Sequence, residues 1–184
     1  MKLTLDACVM FPTVQREILL AVAREGLITP LWSPRILEEW ARAARKIGPT
    51  GEAQARAEIA LLRAHWPRAE VHPRDGDLAR LWLPDPADIH VLAAAIAGSA
   101  DAIVTVNTRD FPRHILAEEG LQRHDPDGLL RDLYLAQPDP VIRAVEAVAA
   151  EAARLDDAPR DPRALLKKAR LPRLAKFFCV SVTL

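Results

Sequence analysis

Short apolar runs alternate along this chain with segments of helical periodicity, and this alternation restricts the fold more than any other feature. Residues 3–5 and 102–106 are the clearest strand-like runs, while residues 27–32 and 67–73 are weaker ones. Strands that are separated by helices usually pair in parallel, with the helices covering the faces of the sheet. We therefore predict an α/β fold with three α/β/α layers around a short parallel sheet.

The segments between these runs carry the start and stop signals of helices. Apolar residues recur at helical spacing over residues 14–22, and Gly26 follows as the expected left-handed terminator. Ser33 and Pro34 are a preferred capping residue and a preferred first residue of a helix. Further helices are predicted over residues 52–65, 77–83 and 89–97, the last of them ending at Gly98.

The pattern changes after about residue 134. Pro138 and Pro140 indicate a linker, and no strand signal follows it before residues 179–184, which fit a terminal strand, a frayed end or a non-native segment. Two amphipathic helices are predicted beyond the linker, over residues 141–155 and 163–178, the second interrupted by Pro172. The predicted organisation is an α/β domain over residues 1–134 and a helical C-terminal extension over residues 135–184.

Composition and cysteine usage exclude several classes of protein. The 25 basic and 25 acidic residues give a formal net charge of zero, so any surface for nucleic acid must be a local patch. Cys8 and Cys179 form no zinc-ligand spacing and no disulfide framework, and Cys8 is predicted to be a small core residue. No apolar run approaches the roughly 20 residues that span a bilayer, and the N-terminus does not resemble a signal peptide. We expect a cytoplasmic protein without membrane contact.

Five polar residues from distant parts of the chain are placed to meet at one edge of the predicted sheet. Asp6 directly follows the first strand, and Asn107 and Asp110 follow the last one. Asp88 lies in the first turn of the helix that leads into that strand, and Glu39 lies two turns into an earlier helix. Because ligands gather outside the carboxyl ends of parallel strands, the predicted topology permits these side chains to share a pocket.

Carboxylates packed together repel one another unless cations neutralise them or some of them are protonated. Oxygen ligands at this density suit Mg²⁺ or Mn²⁺, which can activate water for attack on phosphorus. The sequence therefore predicts a metal-dependent hydrolase, and neither a Ser-His-Asp nor a Cys-His arrangement competes with this interpretation. The candidate catalytic and metal-binding residues are Asp6, Glu39, Asp88 and Asp110, with Asn107 as a further metal ligand.

Three segments carry a resemblance to a known family. They are LDACVMFPTVQREILLAVAREG, WSPRILEEW and LPDPADIHVLAAAIAGSADAIVTVNTRDFP. In this order they resemble the successive motifs of PIN-domain proteins, most closely those of the branch that contains VapC-type toxins of bacterial toxin–antitoxin pairs. The resemblance covers about the first 130 residues, and the tail is similar to the helical extension of some longer toxins of this branch.

The resemblance implies roles for individual residues. Asp6, Glu39 and Asp88 match the first three metal-binding acids of the family. The fourth lies in a Thr-x-Asp-x-x-Asp-Phe pattern that reads TVNTRDF over residues 105–111, so Asn107 replaces its first acid. Asp110 would then substitute as the ligand, and Asn107 would supply a neutral oxygen or an amide donor. The resemblance further implies Mg²⁺- or Mn²⁺-dependent cleavage of RNA, a small antitoxin that inserts a segment into the acidic groove, and a homodimer.

Other interpretations remain open for these residues. Asp85 and Asp88 also fit a helix cap with an acid in the first turn. Glu39 also fits a solvated helix face, and Thr105 either orients a carboxylate or is only a β-branched strand residue. His90 is predicted to be a packed helix residue rather than a catalytic base.

Two other functions are considered. A degenerate PIN module that binds RNA or protein without cutting is favoured by Asn107. A phosphotransfer domain is disfavoured, because Asp6 is followed by Ala-Cys-Val rather than by a second acid two residues on.

Basic residues recur in the C-terminal helices, at Arg163, Lys167, Lys168, Arg170 and Arg173. They form a stripe that tracks phosphates, a solvated face whose leucines dock on the main domain, or a segment that shields the acidic pocket.

Overall fold

The computed structural model describes residues 1–178, and their internal contacts divide them into two units. The first unit comprises Met1–Phe11 and Thr29–His124, and the second comprises Pro12–Ile28 with the described part of Asp125–Leu184. The boundary near residue 134 stays a prediction, because internal contacts do not show which residues fold alone. A terminal strand, considered for residues 179–184, lies outside the described residues.

The first unit is built on a parallel sheet of four strands in the order β2-β1-β3-β4. These strands are β1 (Lys2–Leu5), β2 (Thr29–Leu31), β3 (Ala102–Val104) and β4 (Gln122–His124). Leu3 pairs with Pro30 on one side and with Ala102 on the other. Every residue of β3 and three of the four residues of β1 are buried, as expected of strands covered on both faces. The predicted α/β class and parallel sheet are confirmed.

Helices make up most of the remaining described chain. In chain order they are α1 (Ala7–Met10), α2 (Thr13–Arg24), α3 (Pro34–Ala43), α4 (Gly51–His65), α5 (Asp75–Arg80), α6 (Ile89–Ala97), α7 (Arg113–Glu118), α8 (Pro126–Ala136), α9 (Pro138–Asp156), α10 (Pro162–Lys168) and α11 (Pro172–Ala175). Two 3₁₀ turns lie at Ala44–Ile47 and Pro86–Asp88. Among residues 1–178, none of the helices combines the length and the apolar character that a bilayer span requires.

Local signals explain where several helices begin and end. The Ser33 hydroxyl accepts a hydrogen bond from the backbone N–H of Ile36 at 3.3 Å, which caps α3 as predicted. Gly26 follows α2 with a φ of +79°, the left-handed conformation that glycine adopts most easily. Gly98 follows α6 with an ordinary negative φ of −82°, and the glycine allows close packing there, because a Cβ would lie only 2.6 Å from Leu31 Cδ1.

Helix α6 packs on the two central strands, β1 and β3. Its residues 90–95 are all buried, and three of them are alanines, so the helix can approach the sheet closely. This contact fixes the start of α6, and with it Asp88, relative to the strands.

Two local predictions are wrong, and four elements were not predicted. Strand β4 and helices α1, α7 and α8 have no counterpart in the sequence prediction. The strand predicted over residues 67–73 is only a single bridge between Trp32 and Glu70. Pro138 and Pro140 are not a linker, because they lie in the first turn of α9. Proline is tolerated there because the first N–H groups of a helix have no partner within the helix.

The described residues of the second unit form helices joined by turns and short loops. Helix α2 packs on α8, α9 and α10, while α11 packs on α8 and α10. The leucines of the C-terminal helices lie in this packing: Leu165, Leu166, Leu171 and Leu174 are all buried. The predicted helical C-terminal region is confirmed.

The buried carboxylate of Asp127, which is 8% exposed, connects α8 to the start of α11. It accepts hydrogen bonds from the backbone N–H groups of Arg173 and Leu174 at 2.9–3.0 Å. We expect Asp127→Ala to lower the free energy of unfolding by about 2–3 kcal/mol, because two N–H groups lose a charged acceptor. Urea denaturation measures the change. Asp132→Ala, an exposed acid of the same helix, is the control and should change it by less than about 0.5 kcal/mol; equal losses would contradict the prediction.

Candidate metal centre

The strand order creates a crevice at the carboxyl ends of β1 and β3. The chain passes from β1 to β2 on one side and then crosses to β3 on the other side of β1. Loops that leave the sheet at such a reversal diverge, and ligands bind in the crevice between them. The backbone N–H of Asp6 donates to the Val104 carbonyl at 3.1 Å, so the loops after β1 and β3 begin side by side.

Asp6 is 6% exposed at this edge, and one of its carboxylate oxygens is held firmly. Its Oδ2 accepts hydrogen bonds from Thr105 Oγ1 at 2.7 Å and from Cys8 Sγ at 2.8 Å. The interpretation of Thr105 as a residue that orients a carboxylate is therefore confirmed. Asp6 Oδ1 has no hydrogen-bond partner within residues 1–178, which leaves it available to a cation.

Cys8 contributes to the site, and its assignment as a simple core residue is wrong. Its side chain is half-buried and lies between the carboxylate of Asp6 and the hydroxyl of Thr105, whose oxygen is 3.3 Å from the sulfur. Burial, with the charge of Asp6 and its hydrogen bond, raises the pKa of the Cys8 thiol to about 12. The thiol therefore remains protonated at neutral pH and acts as a donor that positions Asp6.

Three further carboxylates converge in the same unit. Asp85, Asp88 and Asp110 each offer an oxygen, and these oxygens all lie within 4.8 Å of one another. Asp85 Oδ1 also accepts the backbone N–H of Ala87 at 2.8 Å, so the predicted helix cap is present alongside the cluster. Among residues 1–178, neither Asp6 nor Glu39 belongs to this trio.

The electrostatics of Asp88 show that these negative charges act on one another. Burial, together with the charges of Asp6, Asp85 and Asp110, raises the pKa of Asp88 to about 6. Packing these acids together costs free energy in the absence of a cation. Such a cluster is therefore suited to binding one.

Asn107 connects the two halves of the site. Its side-chain amide donates to Asp88 Oδ2 at 3.1 Å, and its backbone N–H donates to Thr105 Oγ1 at 3.0 Å. Of the two roles considered for this residue, the structure shows the amide donor. A neutral residue here adds no charge to the crowded acids and holds Asp88 in place.

Glu39 lies in a different electrostatic environment from the aspartates. Its Oε1 is 2.9 Å from His90 Nε2 and 3.3 Å from Arg35 Nε. Burial works to raise the pKa of Glu39, but His90 and Arg35 outweigh it and hold the pKa below its ordinary value. His90 is buried, as predicted, and it is also the partner of Glu39. Arg35 additionally donates to the Ala87 carbonyl at 3.2 Å, which links Glu39 to the turn before α6.

The donor set fits a small divalent ion. The available ligands are carboxylate oxygens, one of them the unpartnered Oδ1 of Asp6, and hard oxygen donors select Mg²⁺ or Mn²⁺. The Cys8 thiol is protonated and donates a hydrogen bond to Asp6, so its sulfur is not available to bind a softer metal. Asp6, Glu39, Asp88, Asn107 and Asp110 stay predicted ligands, and Asp85 joins them as a candidate.

Asp85 and Cys8 are the two members of the site that sequence reasoning gave other roles. Asp85 fits the first position of a helix cap, and Cys8 stands in an apolar run. The only sequence signal for their place in the site was their closeness to predicted ligands: Asp85 is three residues before Asp88, and Cys8 is two residues after Asp6.

The raised pKa of Asp88 predicts how stability depends on pH in metal-free protein. A carboxyl whose folded pKa is raised to about 6 favours folding below about pH 4, and this contribution is lost as pH rises through 6. We therefore expect Asp88→Asn to gain about 1 kcal/mol relative to wild type between about pH 4 and pH 7.5, a value reduced for partial exposure. Urea denaturation in EDTA measures it. Glu146→Gln, an exposed control, should show no such trend, and a pH-independent effect of Asp88→Asn would refute the electrostatic account.

Comparison with known proteins gives one family. A family model described as PIN domain matches residues 3–109, which is more than half of the chain and includes Asp6, Glu39, Asp88 and Asn107. No curated protein and no solved structure gives a match. Asp110 lies just beyond the matched segment. The chain belongs to the PIN domain family.

Proposed function

We propose that this protein is a metal-dependent endoribonuclease that hydrolyses phosphodiester bonds of RNA. PIN domains are generally nucleases, so a nucleic-acid substrate follows from the family. The observation that carries the proposal is the convergence of Asp85, Asp88 and Asp110, next to the buried Asp6, at the carboxyl edge of the sheet. Without a cation, the mutual repulsion of these carboxylates would destabilise the fold, so their convergence is better explained by metal binding and catalysis than by a structural role.

The residues would divide the work as follows. Asp6, Asp88 and Asp110, with Asp85 nearby, would hold the ion through carboxylate oxygens, while Thr105, Cys8 and Asn107 keep the carboxylates oriented. A bound Mg²⁺ or Mn²⁺ would supply the positive charge that acidifies water and stabilises the charge developing on the phosphate. Glu39, held by His90 and Arg35, would stay ionised and accept a hydrogen bond from a water molecule at the edge of the site.

An exposed tryptophan supports a single-stranded substrate. Trp82 is 64% exposed and stands three residues before Asp85, beside a cleft of about 300 Å³ that Arg80 and His114 also line. Unpaired bases stack on such a ring, whereas the bases of a duplex are already stacked on each other. We expect Trp82→Ala to raise KM for single-stranded RNA about fivefold or more and Trp82→Phe to retain most of the affinity. An equal effect on a duplex of the same sequence would contradict this role.

Cleavage of a mixed RNA panel by purified protein tests the function directly. The panel holds single strands, hairpin loops and duplexes, and each is incubated with Mn²⁺, with Mg²⁺ and with EDTA. We expect cleavage within single-stranded regions that depends on the metal and is absent from an Asp6→Asn preparation, which controls for contaminating nucleases. Cleavage that continues in EDTA, or in the variant, would overturn the proposal.

The second candidate function is a PIN module that binds RNA or protein without cutting it, and Asn107 in place of an acid favours it. Titration with Mn²⁺ separates the two. The nuclease predicts calorimetric binding in the millimolar range or tighter, together with a rise in Tm that Asp88→Asn abolishes. Absence of metal binding would favour the non-cleaving module.

We further propose that the protein acts in the cytoplasm as the homodimeric toxin of a toxin–antitoxin pair, with a small antitoxin as its partner. The resemblance of the PIN-domain motifs to VapC-type toxins supports this role. Expression of the wild-type chain should arrest growth of a bacterial host, and expression of Asp6→Asn should not. Sedimentation measures whether the chain dimerises. Growth unaffected by an active nuclease would argue against the toxin role alone.

A further inference from the structure

The C-terminal helices concentrate positive charge on a chain whose overall charge is zero. Residues 162–178 contain six cations and no acid. We call these cations the basic patch: Arg163, Lys167, Lys168, Arg170, Arg173 and Lys176. All except the half-buried Arg163 are exposed, and the leucines between them point into the helical unit. The patch is thus the local surface that a neutral chain would need in order to bind a polyanion.

Most cations of the patch lack the neutralising partners that arginines have elsewhere. Arg56, Arg80 and Arg143 each form ion pairs with glutamates. Within the described residues, Lys167, Lys168, Arg170 and Lys176 form no ion pair, and Arg173 has only a long contact of 3.4 Å with Asp125. The patch therefore keeps an uncompensated charge that a polyanion could neutralise.

Arg170 occupies a position where glycine would be more stable. Its φ is +62°, and the N–H of Leu171 donates to the Leu166 carbonyl at 2.9 Å, the pattern that closes a helix with a left-handed residue. An L-residue with a side chain is strained in this conformation. Within the described residues, the Arg170 guanidinium forms no hydrogen bond or ion pair that would compensate for the strain. Strain of this kind at an exposed cation points to a use in binding.

We propose that the basic patch binds the phosphate backbone of RNA and so forms a substrate-binding surface of the helical unit, an inference that rests on the proposed ribonuclease function. RNA fits better than an acidic protein partner, because the apolar residues between the cations are buried and a protein interface needs an apolar core. Phe177, the one large apolar residue exposed in this segment, stacks on Tyr134 with ring centroids 4.5 Å apart.

Binding can be measured apart from cutting. The full chain carrying Asp6→Asn is titrated in EDTA with a fluorescent single-stranded RNA of about 20 nucleotides, and anisotropy is recorded at several salt concentrations. Adding K167E, K168E and R170E should weaken binding at least about tenfold and reduce the slope of log K against log salt by about 2, since each lost phosphate contact contributes about 0.7. A control with K46E, R68E and R74E makes the same change in charge at exposed cations of the first unit.

Arg170→Gly provides a second test of the basic patch, which holds even if the triple variant folds poorly. Relief of the left-handed strain should raise Tm by about 2–4 °C, while loss of one phosphate contact should weaken RNA binding about three- to tenfold. A purely structural residue would show the gain in Tm without the loss of affinity. A protein that became more stable and bound RNA less well would therefore identify Arg170 as a binding residue.

The outcomes separate this inference from the proposed nuclease. Weaker RNA binding by the patch variants, in a protein that never cuts RNA, would uphold the patch and reject the nuclease. Equal losses in the patch and control variants would overturn the patch while leaving the nuclease intact. Unchanged affinity for RNA together with loss of binding to an acidic peptide would assign the surface to a protein partner and also overturn the inference.

Discussion

Asp6→Asn is expected to reduce RNA cleavage at least about 100-fold while leaving the fold intact, because removal of a single charged group at a catalytic centre has effects of this size. Asparagine has the same shape, and its carbonyl oxygen can still accept the hydrogen bonds of Thr105 and Cys8. The substitution removes the negative charge that would hold the ion. The loss should therefore appear in catalysis and in metal affinity rather than in folding.

The matched measurements are cleavage rate, Mn²⁺ titration and far-UV circular dichroism, with Asp132→Asn as the control. Asp132 is exposed on α8, and its variant should cleave RNA at the wild-type rate. Partial recovery of Asp6→Asn at high Mn²⁺ would agree with weakened metal binding. Full activity of Asp6→Asn at low Mn²⁺ would remove Asp6 from the site.

Thr105 offers a second, milder perturbation of the same carboxylate. Its hydroxyl donates to Asp6 and accepts from the backbone of Asn107, so it joins the loops after β1 and β3. A buried group with two such roles positions the ligand without holding the ion itself. This arrangement explains why a threonine in this strand, which could be an ordinary β-branched residue, belongs to the site.

Much of the central fold could be predicted because local pattern and burial agree there. β3 is entirely apolar, α6 is apolar except for His90, and β1 is buried from Leu3 to Leu5, so their predicted bounds differ little from the observed ones. Strand β4 could not be found in this way, because Gln122-Arg123-His124 has no apolar run and lies at an edge of the sheet. Edge strands are covered on fewer sides, so their sequences carry a weaker signal.

The division into units depends on contacts that no local pattern contains. Helix α2 is separated from α8 and α9 by about a hundred residues, yet it packs on both of them. Its periodicity predicts a helix with a buried face and says nothing about which helices bury it. Packing partners that are this distant along the chain can be identified only from the three-dimensional structure.

The site shows the same limit at the level of side chains. A parallel sheet could be argued from sequence, and the carboxyl ends of its strands share one edge, so Asp6, Asn107 and Asp110 were expected there. The pairing of Glu39 with His90 was not expected, because helical spacing assigns a residue to a face and not to a partner. Asp85 was likewise not expected among these acids, because the direction of its side chain depends on the 3₁₀ turn at Pro86–Asp88.

Phe111→Ala is expected to lower the free energy of unfolding by about 3–5 kcal/mol, the usual cost of truncating a buried aromatic residue. Phe111 is 0% exposed and directly follows Asp110, and its carbonyl accepts a hydrogen bond from Arg123 Nη1 at 2.7 Å. The ring therefore anchors the loop that carries Asn107 and Asp110. Denaturation by urea measures the loss, and Val106→Ala, at a site that is 52% exposed on the same loop, should cost less than about 1 kcal/mol.

The loop gives this variant a second, functional readout. Because total stabilities of domains are commonly about 5–15 kcal/mol, the Phe111→Ala protein should remain mostly folded at low temperature. Its cleavage rate per folded molecule should nevertheless fall, since Asn107 no longer holds Asp88 firmly when the loop loosens. High Mn²⁺ should restore part of that rate by favouring the ordered loop. A variant that is destabilised as expected but cleaves RNA normally per folded molecule would show that Phe111 supports the core alone and that the loop is held by other contacts.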